Sequence, residues 1–249
     1  MNQENTMSRP SGRSVIEFQK FYIPFIWVFV PCFAYAFLRY TVFHNEPWYD
    51  LPFYLMNKVL GVTAVMLMAA AYVLGPAANL WPKFKQYLAH RKYLGLGGFM
   101  LGSAHGFMSL LLMNPNNYSV FFNATNGRLN WQGSLSMFFG TLALVHLGFL
   151  ACISFPPVMK IMDGRQWKAL QRGGIWALWI TFAHIAAFGY KSWFNLEKWY
   201  GGMPPFSMIG ASSILLLLCL RYALSFYGLR VKARQFTPST KQRLIEKTV

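Results

Sequence analysis

Apolar residues dominate six stretches of the chain, at 19–40, 53–77, 94–113, 132–155, 173–192 and 206–227. Each is long enough for a helix rising ~1.5 Å per residue to cross a hydrocarbon layer of ~30 Å. Polar and turn-forming residues separate them: Pro47 and Pro52, Pro76 and Pro82, Asn114-Pro115, Pro156-Pro157, then Gly201-Gly202 with Pro204-Pro205. The pattern predicts an all-α integral membrane bundle of about six transmembrane helices. A polar N-terminal tail over 1–18 and a basic C-terminal tail over 228–249 flank the bundle at 19–227. The polar start does not resemble a cleaved signal peptide.

Composition agrees. The chain of 249 residues is 55% hydrophobic and only 12% charged, about half the charge of a soluble domain. Six spans leave no stretch for a separate soluble domain, so any flavin or nicotinamide domain is expected to sit on another chain. The net charge of +16 suggests nucleic acid at first. However, the basic residues are spread among loops and tails rather than interleaved with aromatics on one surface, so no nucleic-acid partner is expected. Topology explains them better. With both termini on one side, that side holds 18 Lys and Arg and the other 5, which predicts cytoplasmic termini. The basic tail can also meet anionic lipid head groups. Trp48, Trp131, Trp193 and Trp199 at one set of span ends, and Trp81 and Trp167 at the other, read as an interfacial belt. Cys32, Cys152 and Cys219 form no C-x-x-C pair and read as small core residues.

His44 and His90 fall in predicted loops. His105, His146 and His184 fall inside spans, where ionisable residues are usually functional. His105 lies 14 residues past Arg91 and His184 lies 12 past Arg172, ~21 and ~18 Å along their helices. His146 lies 14 residues before Lys160, ~21 Å if its helix is continuous. The three are therefore expected in one layer. A haem must lie close against the helix of its axial ligand, which needs small side chains on that face. Gly98, Gly102 and Ser109 flank His105 at helical spacing, and Ala177, Thr181 and Ala187 flank His184, whereas Phe139 and Phe149 flank His146. The same glycines also suit plain helix–helix packing.

A b-type haem would thus take His105 and His184 as its axial pair, with Gly98 and Gly102 making room beside it. Two imidazoles on one iron leave no open position, so such a site passes single electrons. No H-E-x-x-H, G-x-S-x-G or phosphate-binding glycine loop is present.

The stretch Arg91-Lys92-Tyr93-Leu94-Gly95-Leu96 leading to His105 resembles the ferric-reductase-like transmembrane family. Within that family it is similar to the haem-binding membrane subunit of the bacterial periplasmic methionine sulfoxide reductase system, which carries R-R-x-L-G-L before a ligand histidine. Trp167-Lys168-Ala169-Leu170-Gln171 resembles the family's W-x-x-L-H stretch, with His184 following Gln171 by 13 residues. The resemblance covers roughly residues 90–190. It implies a six-helix bundle in a bacterial cytoplasmic membrane, with haem held by the third and fifth helices. It also implies the electron-transfer subunit of an oxidoreductase system, working with a partner protein, a larger membrane complex or a quinone. The chain departs from the family at Gln171, where the family has a histidine, so a second haem is not expected. His146 is outside the motif. A propionate contact, a quinone pocket or a substitute ligand are its alternatives. The competing function is a structural or assembly subunit that keeps the fold. A transporter fits less well, because the spans show few polar midplane groups.

Overall fold

A computed structural model describes residues 12–45 and 51–246, with side chains over 19–45 and 52–230. The chain forms α1 (Gly12–Phe37), a π-helical extension Leu38–Phe43, α2 (Leu51–Leu80), α3 (His90–Leu112) and α4 (Trp131–Cys152). Short α5 (Pro156–Ile161) and α6 (Gly164–Arg172) lead into α7 (Gly174–Trp193), and α8 (Phe206–Glu246) closes the order. Among the described residues six segments are long and apolar enough to cross a membrane: Gln19–Phe43, Pro52–Leu80, His90–Leu112, Trp131–Cys152, Gly164–Trp193 and Tyr200–Arg230. Among the described residues there is no strand beyond one isolated antiparallel bridge, Phe122 to Leu129. The protein is thus an all-helical integral membrane protein. Pro47 and Trp48, and the tail before Gly12, lie outside the described residues. Most of the expected C-terminal tail is the continuation of α8 to Glu246.

The buried helix is α2, which packs on α1, α3, α7 and α8, while α4 pairs with α7 and touches α3. Around α2, Cys32, Ala36, Leu55, Val59 and Phe206 form one buried cluster, and Ala64, Val65, Met68, Leu178, Ile214 and Leu218 another. The outer faces present Trp27, Phe107, Phe138, Val145 and Leu216. That all-round apolarity suits lipid, which costs such side chains nothing. Cys32 is buried as expected, but Cys152 and Cys219 lie exposed on the outside of the bundle.

Two boundaries differ from the sequence pattern, for physical reasons. Pro76 was expected near the end of the second span, yet α2 continues through it to Leu80. A proline has no N–H for the carbonyl four residues back. Here the orphan carbonyl of Tyr72 accepts from the Arg221 guanidinium of α8, and Arg91 Nε donates to the neighbouring Ala71 carbonyl at 3.0 Å. Membrane helices tolerate proline where a neighbour supplies the missing donor. Conversely, α4 stops at Cys152, and the chain turns before Pro156 starts the next helix. That turn shortens the distance assumed between His146 and Lys160.

Six crossings, an even number, leave Gly12 and Glu246 on one side of the bundle, called here the termini side. On the opposite side Arg39, only 2% exposed, is folded inward. It donates to the Met203 carbonyl and to Lys198 O at 2.6 Å, with its guanidinium 4.9 Å from the Tyr200 ring centre. This clamp ties the π-helical end of the first span to the loop before α8.

Candidate functional site

The site begins with two helix carbonyls. In an α-helix the carbonyl of residue i accepts from the N–H of i+4, and the Cβ of i+4 tilts back over it. When residue i+4 is glycine, the second lone pair of that carbonyl is left open to a neighbouring helix. This happens at matched places. Asn57 and Gly61 lie on α2, and Ser136 and Gly140 on α4.

A histidine uses each opening. His105 Nδ1, on α3, lies 2.9 Å from Asn57 O. His184 Nδ1, on α7, lies 2.8 Å from Ser136 O. A carbonyl can only accept, so both rings carry their proton on Nδ1. Each Nε2 then presents a lone pair, and neither Nε2 has a hydrogen-bond partner among the described residues. The ring centres stand 6.4 Å apart with planes 70° from each other.

That spacing has a chemical meaning. Two imidazoles on opposite sides of one metal ion, each at a bond length of about 2 Å, place their ring centres roughly 6.3 Å apart. No group of three or more His, Cys, Asp or Glu that could hold a metal exists among the described residues. A bare ion would therefore find two ligands and no third. A metal that arrives with its own equatorial nitrogens needs only two.

The surroundings support the pair. Asn57 Nδ2 donates to Ser109 Oγ at 3.1 Å, one turn beyond His105, so α2 and α3 are pinned beside the carbonyl contact. Ser136 Oγ lies 3.4 Å from His184 Nδ1. Lys58, next to Asn57, places its ammonium among aromatic rings, 4.0 Å from the Tyr54 centre, 5.2 Å from Tyr40, 5.5 Å from Tyr118 and 5.8 Å from Phe188. Cation–π contacts of this kind hold a charge in a poorly hydrated place.

The sequence-selected residues sort differently from one another. His105 and His184 come together. His146 does not join them. Its Nε2 lies 3.1 Å from Gly173 O at the break between α6 and α7. It sits six residues along α4 from Gly140, ~9 Å nearer the termini side, so the expected single layer contains two histidines and not three. Gly98 packs against Met68 and the Ala64 backbone of α2, which is helix–helix packing. Gly102 is roomier: a methyl there would meet only the Ala64 methyl, at 3.9 Å. On α7, Thr181 Oγ1 donates to the Ala177 carbonyl of its own helix. Gln171 is committed elsewhere, its amide donating to Ser154 Oγ at 2.8 Å and Leu150 O at 3.2 Å. His90 begins α3 with its ring 5.5 Å from that of Tyr87. Asn57, Gly61, Ser136 and Gly140 were not singled out from sequence. Their signal was the repeated offset of a polar residue four before a glycine, once on each helix facing a histidine helix.

No family model matches the chain. The chain is similar to metalloreductase STEAP2 of Mus musculus, 27% identical over 204 residues covering 70% of this chain and 42% of that protein. It is 26% identical to metalloreductase STEAP2 of Homo sapiens over the same shares. With metalloreductase STEAP3 of Rattus norvegicus it is 25% identical over 238 residues, 80% of this chain and 49% of that protein. The chain thus spans less than half the length of these curated relatives. The similarity supports a likeness to ferric-reductase-like membrane proteins. It does not support the specific methionine sulfoxide reductase subunit, and the mammalian sources lend nothing to a bacterial membrane.

Proposed function

We propose that this chain is a membrane cytochrome that relays single electrons through one b-type haem held between His105 and His184. The observation that carries the reading is the imidazole pair with ring centres 6.4 Å apart, both Nδ1 atoms bound to helix carbonyls and both Nε2 atoms left for a metal. When bound, the haem iron supplies one-electron redox chemistry. The protein's part is to hold. The carbonyls of Asn57 and Ser136 fix the tautomer and the orientation of the two rings, as the partners of metal-bound histidines commonly do. Lys58 adds a fixed positive charge beside Asn57, which favours the reduced, less positive state of a nearby centre. Gly102 leaves space on the face of α3.

The names of the relatives make a metal ion a candidate electron acceptor, with a partner protein or quinone as donor. The 18-to-5 distribution of basic residues supports cytoplasmic termini. A cysteine placed in the loop over 115–130 should then react with an impermeant reagent added outside, and labelling only from inside would reverse the orientation.

The reading is tested by purifying the haem-supplied protein and recording its reduced-minus-oxidised spectrum together with haem per polypeptide. A low-spin bis-histidine spectrum at one haem per chain is expected. Protein that folds but takes up no haem would leave the structural-subunit reading in its place. A ratio near two would mean that Gln171 does not close the termini-side position.

A further inference from the structure

We infer that Gly61 and Gly140 are a matched pair of positioning residues, each baring the helix carbonyl that locks one axial imidazole. The inference rests on the haem reading and adds the residues that set the ligands' geometry.

The argument is steric. A methyl built on Gly61 would lie 3.0 Å from His105 Nδ1, 3.1 Å from Cε1 and 3.2 Å from Cγ. One on Gly140 would lie 2.8 Å from His184 Nδ1 and 3.0 Å from Cε1. At Gly140 that is closer than a carbon atom rests on a ring, and at Gly61 it is tighter than ordinary contact, so the ring must give way by a few tenths of an ångström. The neighbour is an imidazole tethered by a helix on one side and a carbonyl on the other, so it cannot swing away and keep its hydrogen bond. An alanine at either position therefore breaks the Nδ1 contact or pushes the ring toward the opposite ligand, whose centre is 6.4 Å away. Either displacement spoils an axial geometry that tolerates little error.

The two halves are alike in construction and unlike in reserve. On the α2 side the Asn57 side chain is engaged with Ser109, in both directions at 3.1 and 3.2 Å. His105 therefore depends on the carbonyl alone. On the α4 side the Ser136 hydroxyl stands 3.4 Å from His184 Nδ1 and can accept its proton if the carbonyl contact is lost. Gly61→Ala is thus expected to free the tautomer of its ring, whereas Gly140→Ala shifts its ring but keeps the proton on Nδ1.

The test uses the full chain, with Gly148→Ala as the control. Gly148 lies on α4, and its added methyl would make only ordinary contact, 3.7 Å from the Phe99 ring. Haem-loaded protein is read by optical and electron paramagnetic resonance spectra, and haem-free protein by nitrogen-15 resonances of labelled histidine. Both histidines of the haem-free parent should be Nδ1–H tautomers. Gly61→Ala and Gly140→Ala should each lose most of the low-spin signal, and Gly148→Ala should retain it. Parental low-spin spectra in both glycine variants would overturn the inference, as would an Nε2–H tautomer at either histidine of the parent. If the variants do not accumulate, the tautomers of the parent still decide. A parent that shows both Nδ1–H tautomers yet binds no haem would sink the cytochrome and leave the positioning role standing.

Discussion

The bundle has two polar layers in which histidine bonds a helix carbonyl, and in one of them two such rings stand together. In one, His105 and His184 each spend a single nitrogen on a helix carbonyl and keep the other. In the termini-side layer His146 also keeps one nitrogen, but among the described residues no second imidazole stands against it. His146 spends Nε2 on Gly173 O, and the Gln171 amide is divided between Leu150 and Ser154. The Tyr72 hydroxyl donates to Gln171 O at 3.0 Å, entering a gap that exists because residue 174 is glycine. The lesson is that polarity inside a membrane does not by itself mark a site. What distinguishes the two layers is whether two rings that each keep a nitrogen come together.

The sharpest break between the layers is expected at the ligands themselves. His105→Ala and His184→Ala should each abolish the low-spin bis-histidine spectrum, because no third His, Cys, Asp or Glu among the described residues completes the set. Spectra of the two variants against the parent check this. A low-spin spectrum surviving in His184→Ala would move the ligand to another helix.

A smaller effect, of a different kind, is expected in the termini-side layer. Arg221→Ala removes the donor that answers the proline gap at Tyr72 O. A charged hydrogen bond of this sort is worth about 2 kcal/mol. The variant should unfold earlier in detergent while any haem it retains keeps the parental spectrum. Pro76→Ala restores an N–H four residues past Tyr72, so in that background the Arg221 substitution should cost less, by on the order of 1 kcal/mol. Equal costs in both backgrounds would disconnect Arg221 from the proline.

The six spans were legible because hydropathy is nearly independent of tertiary contacts: each apolar stretch in the sequence has its counterpart among the six long helices. The histidine pair was legible for a reason only partly right. Small residues were taken to make room for a porphyrin, but Gly98 makes room for α2 instead. The small residues that touch the rings, Gly61 and Gly140, are on the opposing helices. A face can be read along one helix, but its partner face requires knowing which helix comes next to it and at what rotation. The third histidine was misplaced in depth because Pro156 was treated as part of a continuous helix. Arg39 and Lys58 entered the sequence reading only as two of the five basic residues on the side opposite the termini. Arg39 is buried against carbonyls and Lys58 sits among rings, arrangements that depend on residues far away in sequence such as Met203 and Tyr118.

The smallest effect is expected from His146→Ala, and it separates the two layers most cleanly. His146 donates to a carbonyl that is already served. Gly173 O also accepts from Trp176 N at 2.9 Å and Ala177 N at 3.3 Å, the first turn of α7. Removing the imidazole therefore strands no buried acceptor, and the loss is one neutral hydrogen bond plus some packing, about 1 kcal/mol. Neither the Asn57 nor the Ser136 contact involves α4 beyond Gly140, so the ring pair should not move. The expected result is a parental low-spin spectrum and haem content with a slight loss of stability in detergent. If His146→Ala instead removed the low-spin spectrum while His184→Ala preserved it, the atoms left over in this structure would not be the ones that bind the metal, and the distinction between the layers would have to be drawn the other way.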